Sequence, residues 1–171
     1  RCPEIDRYVA FYWSSVSRRA VSIENDSIYH DNIITLNCDS SFFEFFEVRF
    51  LMGNENFLLD DNKIAVTQEV AQQLWGDENP IGKRLKIGLG LNKKNEVSVA
   101  AVVEGWGEHT NMPFSIIQNL SPHDNSGPFS YRNYALRLHP NVDVDKFNEK
   151  LATLPMFNLP RHNPMEMDCK W

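Results

Sequence analysis

The stretch from Ile64 to Val103 constrains the fold more than any other part of this chain. Ile64-Ala65-Val66 is a short apolar run rich in β-branched residues, as a buried strand requires. Thr67 follows where a hydroxyl can accept from the unpaired N–H groups of a helix start. Val70, Ala71, Leu74 and Trp75 then fall on one helical face, with Gln68, Gln72 and Gln73 on the others. Gly76 stands where a helix exit favours a left-handed residue, and Asp77-Glu78-Asn79-Pro80-Ile81-Gly82 is turn chemistry throughout. Leu85, Ile87 and Leu89 alternate with Arg84, Lys86 and Gly88. Asn92-Lys93-Lys94-Asn95 turns the chain, and Val97, Val99, Ala101 and Val103 alternate back. Strand, capped helix and hairpin in that order predict a helix laid on a sheet, with antiparallel strands beside it.

The flanking sequence extends the pattern. Pro3-Glu4-Ile5-Asp6 reads as a short first helical turn, and Tyr8 to Ile23 as a strand whose odd positions 9 to 13 are apolar. Glu24-Asn25-Asp26-Ser27 is a turn cluster, and Ile33 to Cys38 resumes as a strand. Ser41 and Glu44 have capping-box spacing, with Asp39 able to cap a turn earlier. Phe42, Phe43, Phe45 and Phe46 cover one side of the short helix that follows, and read as core packing. A strand pattern, Phe46-Val48-Phe50, then runs until Met52-Gly53. After Trp106 periodicity dissolves into a loop punctuated by Pro113, Pro122, Gly127 and Pro128. It returns at Tyr134, Leu136 and Leu138 as a strand, and at Val144, Phe147, Leu151 and Leu154 as a helix capped by Asp143. The whole predicts an α+β fold, with layered antiparallel and mixed sheets carrying two strand–helix units.

Length and charge bound what such a fold can be. At 171 residues the chain makes one domain, or two small lobes sharing a core. Folding at this size buries roughly 70% of the unfolded surface, so a core forms without staples. With 23 acidic against 17 basic residues, the chain lacks the basic surplus that displaces counterions, which argues against nucleic acid as a partner. No run approaches the ~18 consecutive apolar residues of a membrane helix. Arg1 is not an initiator methionine and no signal-like segment follows it, so the chain reads as a processed protein or an excised piece of a longer one.

The sequence carries none of the familiar catalytic motifs. His30, His109, His123, His139 and His162 show no metal-ligand spacing, and Glu108-His109 sets an acid beside an imidazole in the irregular loop. No Gly-x-Ser-x-Gly elbow is present. Gly88-Leu89-Gly90 and Gly105-Trp106-Gly107 do not continue to the third glycine of a dinucleotide fingerprint. Ile81-Gly82-Lys83-Arg84 lacks the hydroxyl of a phosphate loop. No cofactor or metal is implied, and the expectation is a non-enzymatic domain. Trp106 reads either as a lid over the sheet or as an exposed aromatic anchor for a partner. Lys83, Arg84, Lys86, Lys93 and Lys94 form a basic patch on the hairpin, either a solvated face or a contact edge.

At this point the order of motifs resembles a known family. Asp39-Ser40-Ser41-Phe42-Phe43-Glu44-Phe45-Phe46 is similar to the D-p-x-F-F-x-x-F segment of the MacB-like periplasmic core domain of FtsX/MacB-type ABC transporter permeases. Leu51-Met52-Gly53 matches its l-x-G step, and Ile64 to Gly76 its strand and helix. Asp77 to Leu85 resembles d-e-x-P-i-G-k-x-l, the most specific stretch, and Tyr134 to Leu151 the late strand–helix unit. Pro3-Glu4-Ile5 is similar to the p-e-V near the domain's start. The chain departs from the pattern at Ala100-Ala101-Val102-Val103-Glu104-Gly105, where the family reads Val-Gly-Val. From Gly107 to Ser130 nothing matches.

The resemblance implies an extracytoplasmic domain of an inner-membrane permease, facing the periplasm and joined to the membrane by helices outside this chain. It implies as partners an ABC ATPase domain or subunit, a second permease copy, and a periplasmic adaptor or carrier protein. Its role would be to pass nucleotide-driven motion to those partners or to cargo. Residues expected at partner contacts are Trp106, His109 and Phe114 in the irregular loop, with Lys93 and Lys94 at the hairpin tip. A loop between two membrane helices returns its ends to one surface, so Cys2 and Cys169 could bridge in an oxidising compartment, or all three cysteines remain thiols. Two other readings stand beside this one: a ligand-sensing module whose loop folds over a small molecule or peptide, and a metal-dependent hydrolase using Glu108 and His109.

Overall fold

The structure, a computed structural model, describes residues 2–23, 28–88, 95–106, 110, 112–120 and 133–153. Two compact units divide the chain: Val9–Ala135, and the two ends, Arg1–Tyr8 with Leu136–Trp171.

The larger unit is a sheet covered on both faces. Its strands are β1 (Ile5–Ser22, which begins in the smaller unit), β2 (Ile28–Cys38), β3 (Phe50–Met52), β4 (Lys63–Thr67), β5 (Arg84–Gly88), β6 (Asn95–Val103) and β7 (Ile116–Asn119). They pair in the order β2-β7-β4-β6-β5-β1, and β3 lies along the far half of β6. β1 also pairs with β2, so the hydrogen-bonded circuit closes on itself. Irregularities at Ser14/Arg18 and Arg18/Ala20 let so long a strand serve both neighbours, because a bulge bends and twists the strand that carries it. β4 runs parallel to β6 and β2 parallel to β7; the remaining pairs of this unit are antiparallel. The expected hairpin is present, with Arg84 opposite Ser98 and Ile87 opposite Asn95.

Alternation along the strands divides the core in two. On one face Ile64, Val66, Leu85, Val97, Val99 and Ile116 meet Val70, Ala71, Leu74 and Trp75 of α2 (Gln68–Trp75). Thr67 caps this helix as expected, its hydroxyl accepting from Val70 N–H at 3.4 Å, and Gly76 ends it at φ 59°. Trp75 seats the helix by donating its indole N–H to the buried Ser22 hydroxyl at 3.0 Å. The opposite face gathers Val9, Phe11, Leu36, Cys38, Ala65 and Ile117 under α1 (Ser41–Phe46) and a 3-10 turn, Glu55–Leu59.

Several local expectations are revised. Pro3 and Glu4 form a turn and Ile5 already begins β1, so no first helical turn precedes the strand. Ser41 is the first residue of α1 rather than its cap; Ser40 holds the cap position without a side-chain cap bond, and the Asp39 carboxylate accepts from Ser41 N–H (2.9 Å) and from the Ser41 hydroxyl. Phe46 closes that helix, Glu47 takes a left-handed φ of 53°, and the strand starts only at Phe50. The segment after Trp106, aperiodic in sequence, contains β7, whose Ile116 and Ile117 are buried on opposite faces.

In the smaller unit the end of β8 (Asn133–Leu138) leads to α3 (Val144–Ala152). Asp143 caps α3 by accepting from Lys146 N–H at 3.2 Å, and Phe147 is its buried residue. Glu4 joins the chain's two ends within this unit. Its carbonyl accepts from His139 N–H (3.0 Å), and its carboxylate pairs with Lys150 Nζ at 2.6 Å.

Candidate functional site

Trp106 organises an aromatic cluster that reaches the surface of the larger unit. β6 ends at Val103, which is buried, and Glu104 N–H then donates to Arg49 C=O at 3.0 Å, holding the exit of β6 against the entry to β3. Gly105 comes next. A Cβ there would lie 2.8 Å from Glu69 Oε2, so the missing side chain is what lets the Glu69 carboxylate settle against the backbone. Trp106 turns inward and stacks on Phe42 (centroids 5.8 Å, 20° between planes). Phe46 at 5.3 Å and Phe114 at 5.0 Å complete its surroundings. Edge-to-face and offset ring pairs of this kind add to packing beyond the area they bury.

The four phenylalanines of α1 divide their work. Phe42 and Phe43 are buried, Phe43 reaching Phe50 and Phe57, while Phe45 and Phe46 remain half-buried and lie 4.9 Å apart. Trp13 and Met112 also flank the cluster, and the Trp13 indole N–H donates to Pro113 C=O at 2.7 Å. Sequence periodicity found the aromatic helix but not its half-exposed rim. A six-residue helix offers too few turns for spacing alone to say which rings face inward.

The expected contact residues therefore fare differently. Trp106 is half-buried, a lid over the cluster with one part at the surface. Phe114, at 7% exposure, braces that lid from below. His109, Lys93 and Lys94 lie outside the described residues, as do Glu108 and Cys169. Two members of the basic patch meet acids: Lys83 pairs with Glu78 at 2.7 Å and Arg84 with Glu96 at 2.9 Å. Cys38 is fully buried in the core, and burial followed by the nearby Asp39 carboxylate pushes its thiol well above the ordinary thiol range. Such a thiol is inert as a nucleophile. Among the described residues, no group of three or more His, Cys, Asp or Glu side chains is arranged to hold a metal ion, and no helix is long and apolar enough to cross a membrane.

Known proteins resemble this architecture. The sequence profile of the MacB-like periplasmic core domain matches residues 1–154. A solved domain of a permease protein from Porphyromonas gingivalis superposes with a TM-score of 0.68 at 20% identity, over 87% of this chain and 62% of that one. The periplasmic region of MacB from Actinobacillus actinomycetemcomitans gives 0.61 at 13% identity, over 89% and 66%. The extracellular domain of the noncanonic ABC-type transporter YknZ from Gram-positive bacteria gives 0.57 at 16% identity, over 85% and 70%. The chain thus spans 62% and 66% of the length of the first two solved domains. At these identities the likeness is one of fold. No curated protein sequence matches the chain.

Proposed function

The chain belongs to the MacB-like periplasmic core domain family, the extracytoplasmic domain of ABC-type permeases, and from that premise we propose that it works without catalysis, as a coupling element. In this reading ATP hydrolysis by a cytoplasmic ABC ATPase moves a pair of permease copies. The domain carries that motion to a periplasmic adaptor, a carrier protein or cargo. The observation that carries the reading is the match over residues 1–154, reaching from the turn before β1 past the end of α3. The architecture supports it. A sheet buried on both faces is a stiff body, and stiff bodies transmit displacement rather than absorb it.

The test uses the full-length protein in its own cells. Cys2 and Cys169 are replaced by serine and Leu59, 86% exposed, by cysteine. A maleimide that cannot cross the inner membrane should label this cysteine in intact spheroplasts, and affinity purification in mild detergent should recover an ABC ATPase with the protein. Labelling only after the membrane is permeabilised, or purification without any ATPase, contradicts the reading.

A further inference from the structure

We propose that the half-buried aromatic rim at the end of β6 docks a partner protein through one apolar or aromatic side chain set among lysines or arginines. This rests on the reading of the domain as one that acts by protein contact, and names the chemistry of the contact. The rim consists of Trp106, Phe46 and Phe45, joined by ring centroid distances of 5.3 and 4.9 Å. Behind them Phe42 and Phe114 are buried, so the rim rings are held in place before any partner arrives. Pre-ordered aromatic surface lowers the ordering cost of association, and aromatic anchors carry much of the energy at protein interfaces.

Charge around the rim says what kind of partner fits. Glu47 follows Phe46 directly and is exposed. Glu104 lies two residues before Trp106, and Glu69 is seated between them by Gly105. Arg49 stands 3.8 Å from Glu104, with the two side chains 73% and 55% exposed, a pair too open to water to neutralise the patch. Among the described residues, these three carboxylates stand against the one guanidinium of Arg49, and this edge of the rim carries a negative excess. Such a border attracts lysine and arginine side chains and speeds their encounter. It also disfavours an anionic lipid surface, whose own charge has the same sign. A basic protein surface with a central apolar anchor satisfies rings and carboxylates together.

The test is binding to the isotopically labelled chain, followed by NMR. The probe is the peptide Lys-Lys-Leu-Phe-Lys-Lys, with Glu-Glu-Leu-Phe-Glu-Glu and phosphatidylcholine–phosphatidylglycerol vesicles as contrasts. The proposal expects saturable shifts centred on the Trp106 indole N–H and the amides of Phe45 to Glu47, weakening with salt. The acidic peptide and the vesicles should leave those signals in place. The double variant Glu47→Lys/Glu104→Lys, whose sites are exposed, should keep its fold and bind the basic peptide about tenfold more weakly, a change on the order of 1.4 kcal/mol. Gly105→Ala, which displaces the Glu69 carboxylate, should weaken binding in the same direction. Equal affinity for the acidic peptide, shifts centred elsewhere, vesicle binding at the rim, or unchanged affinity in the double variant would each overturn the proposal. None of these results alters the labelling and purification outcome, so the two readings can fail separately.

Discussion

Gly53 and Gly76 both hold positive φ, at 72° and 59°, yet only the first is closed in. A Cβ on Gly53 would lie 2.3 Å from the Ala100 carbonyl oxygen and 2.9 Å from Ala101 Cα, both backbone atoms of β6. One on Gly76 would meet nothing within 4 Å. Gly76, at φ 59° and ψ −126°, lies outside the left-handed helical basin, and Gly76→Ala costs that backbone strain alone, about 1–3 kcal/mol. Gly53→Ala adds overpacking of about 1–3 kcal/mol to a similar term. Urea unfolding of the two variants should show Gly53→Ala the more damaging; equal losses would mean that β3 and β6 can part to admit the methyl. The need for a positive φ at Gly76 was legible from its place after Trp75, though its ψ of −126° is not that of the left-handed exit expected there. The need at Gly53 was legible only as a break in a strand, because the atom that crowds it comes from a segment about fifty residues away. The seat that Gly105 makes for Glu69 was hidden for the same reason.

The starts of α2 and α3 were readable, since a cap is a local hydrogen bond written by one side chain, whereas the starts expected at Pro3 and Ser41 were not. Thr67 and Asp143 both accept from the N–H three residues on. Thr67→Ala and Asp143→Ala should each cost about 1 kcal/mol. Thermal denaturation of each variant, with Thr67→Ser and Asp143→Asn as controls that keep an acceptor, checks this; an alanine variant as stable as its control would deny the cap a role. What periodicity missed was β7. Period-two reading requires one face to differ from the other, and Ile116 and Ile117 are both fully buried, each in a different half of the core. The same reading extended a strand back to Phe46, because Phe46, Val48 and Phe50 alternate as a strand would. The left-handed Glu47 between helix and strand leaves no mark in the sequence.

At the scale of the whole molecule, the Lys150–Glu4 contact joins residues 146 positions apart within the smaller unit. The hydrogen bond from Lys150, with the backbone N–H of Glu4, holds the carboxyl below its ordinary value of 4.5, and the bond to Glu4 raises Lys150 above 10.5. A lowered carboxyl contributes stability that is present above the ordinary carboxyl value and lost as pH falls through the folded value. A raised ammonium contributes stability present below its ordinary value and lost as pH climbs through the folded one. The contact thus operates between the two ranges. Carbon-13 titration should place the Glu4 midpoint below 4.5, and Lys150→Met should move it back up; a midpoint indifferent to that change would show that the pair contributes nothing. The sequence disclosed much of the order of elements, and with it the resemblance to the family, because caps, glycine stops and the Asn79-Pro80-Ile81-Gly82 turn are local signals. The pairing of Glu4 with Lys150 and the closed circuit of strands depend on contacts between distant segments. Under the proposed coupling, ATP moves this domain. Spin labels at Leu59→Cys in both copies of the full-length permease, assembled with its ATPase in lipid nanodiscs, would report the distance between copies by pulsed electron resonance. Coupling predicts that the distance distribution shifts between the nucleotide-free and ATP-bound states. Identical distributions in the two states, in a complex that hydrolyses ATP, would contradict it.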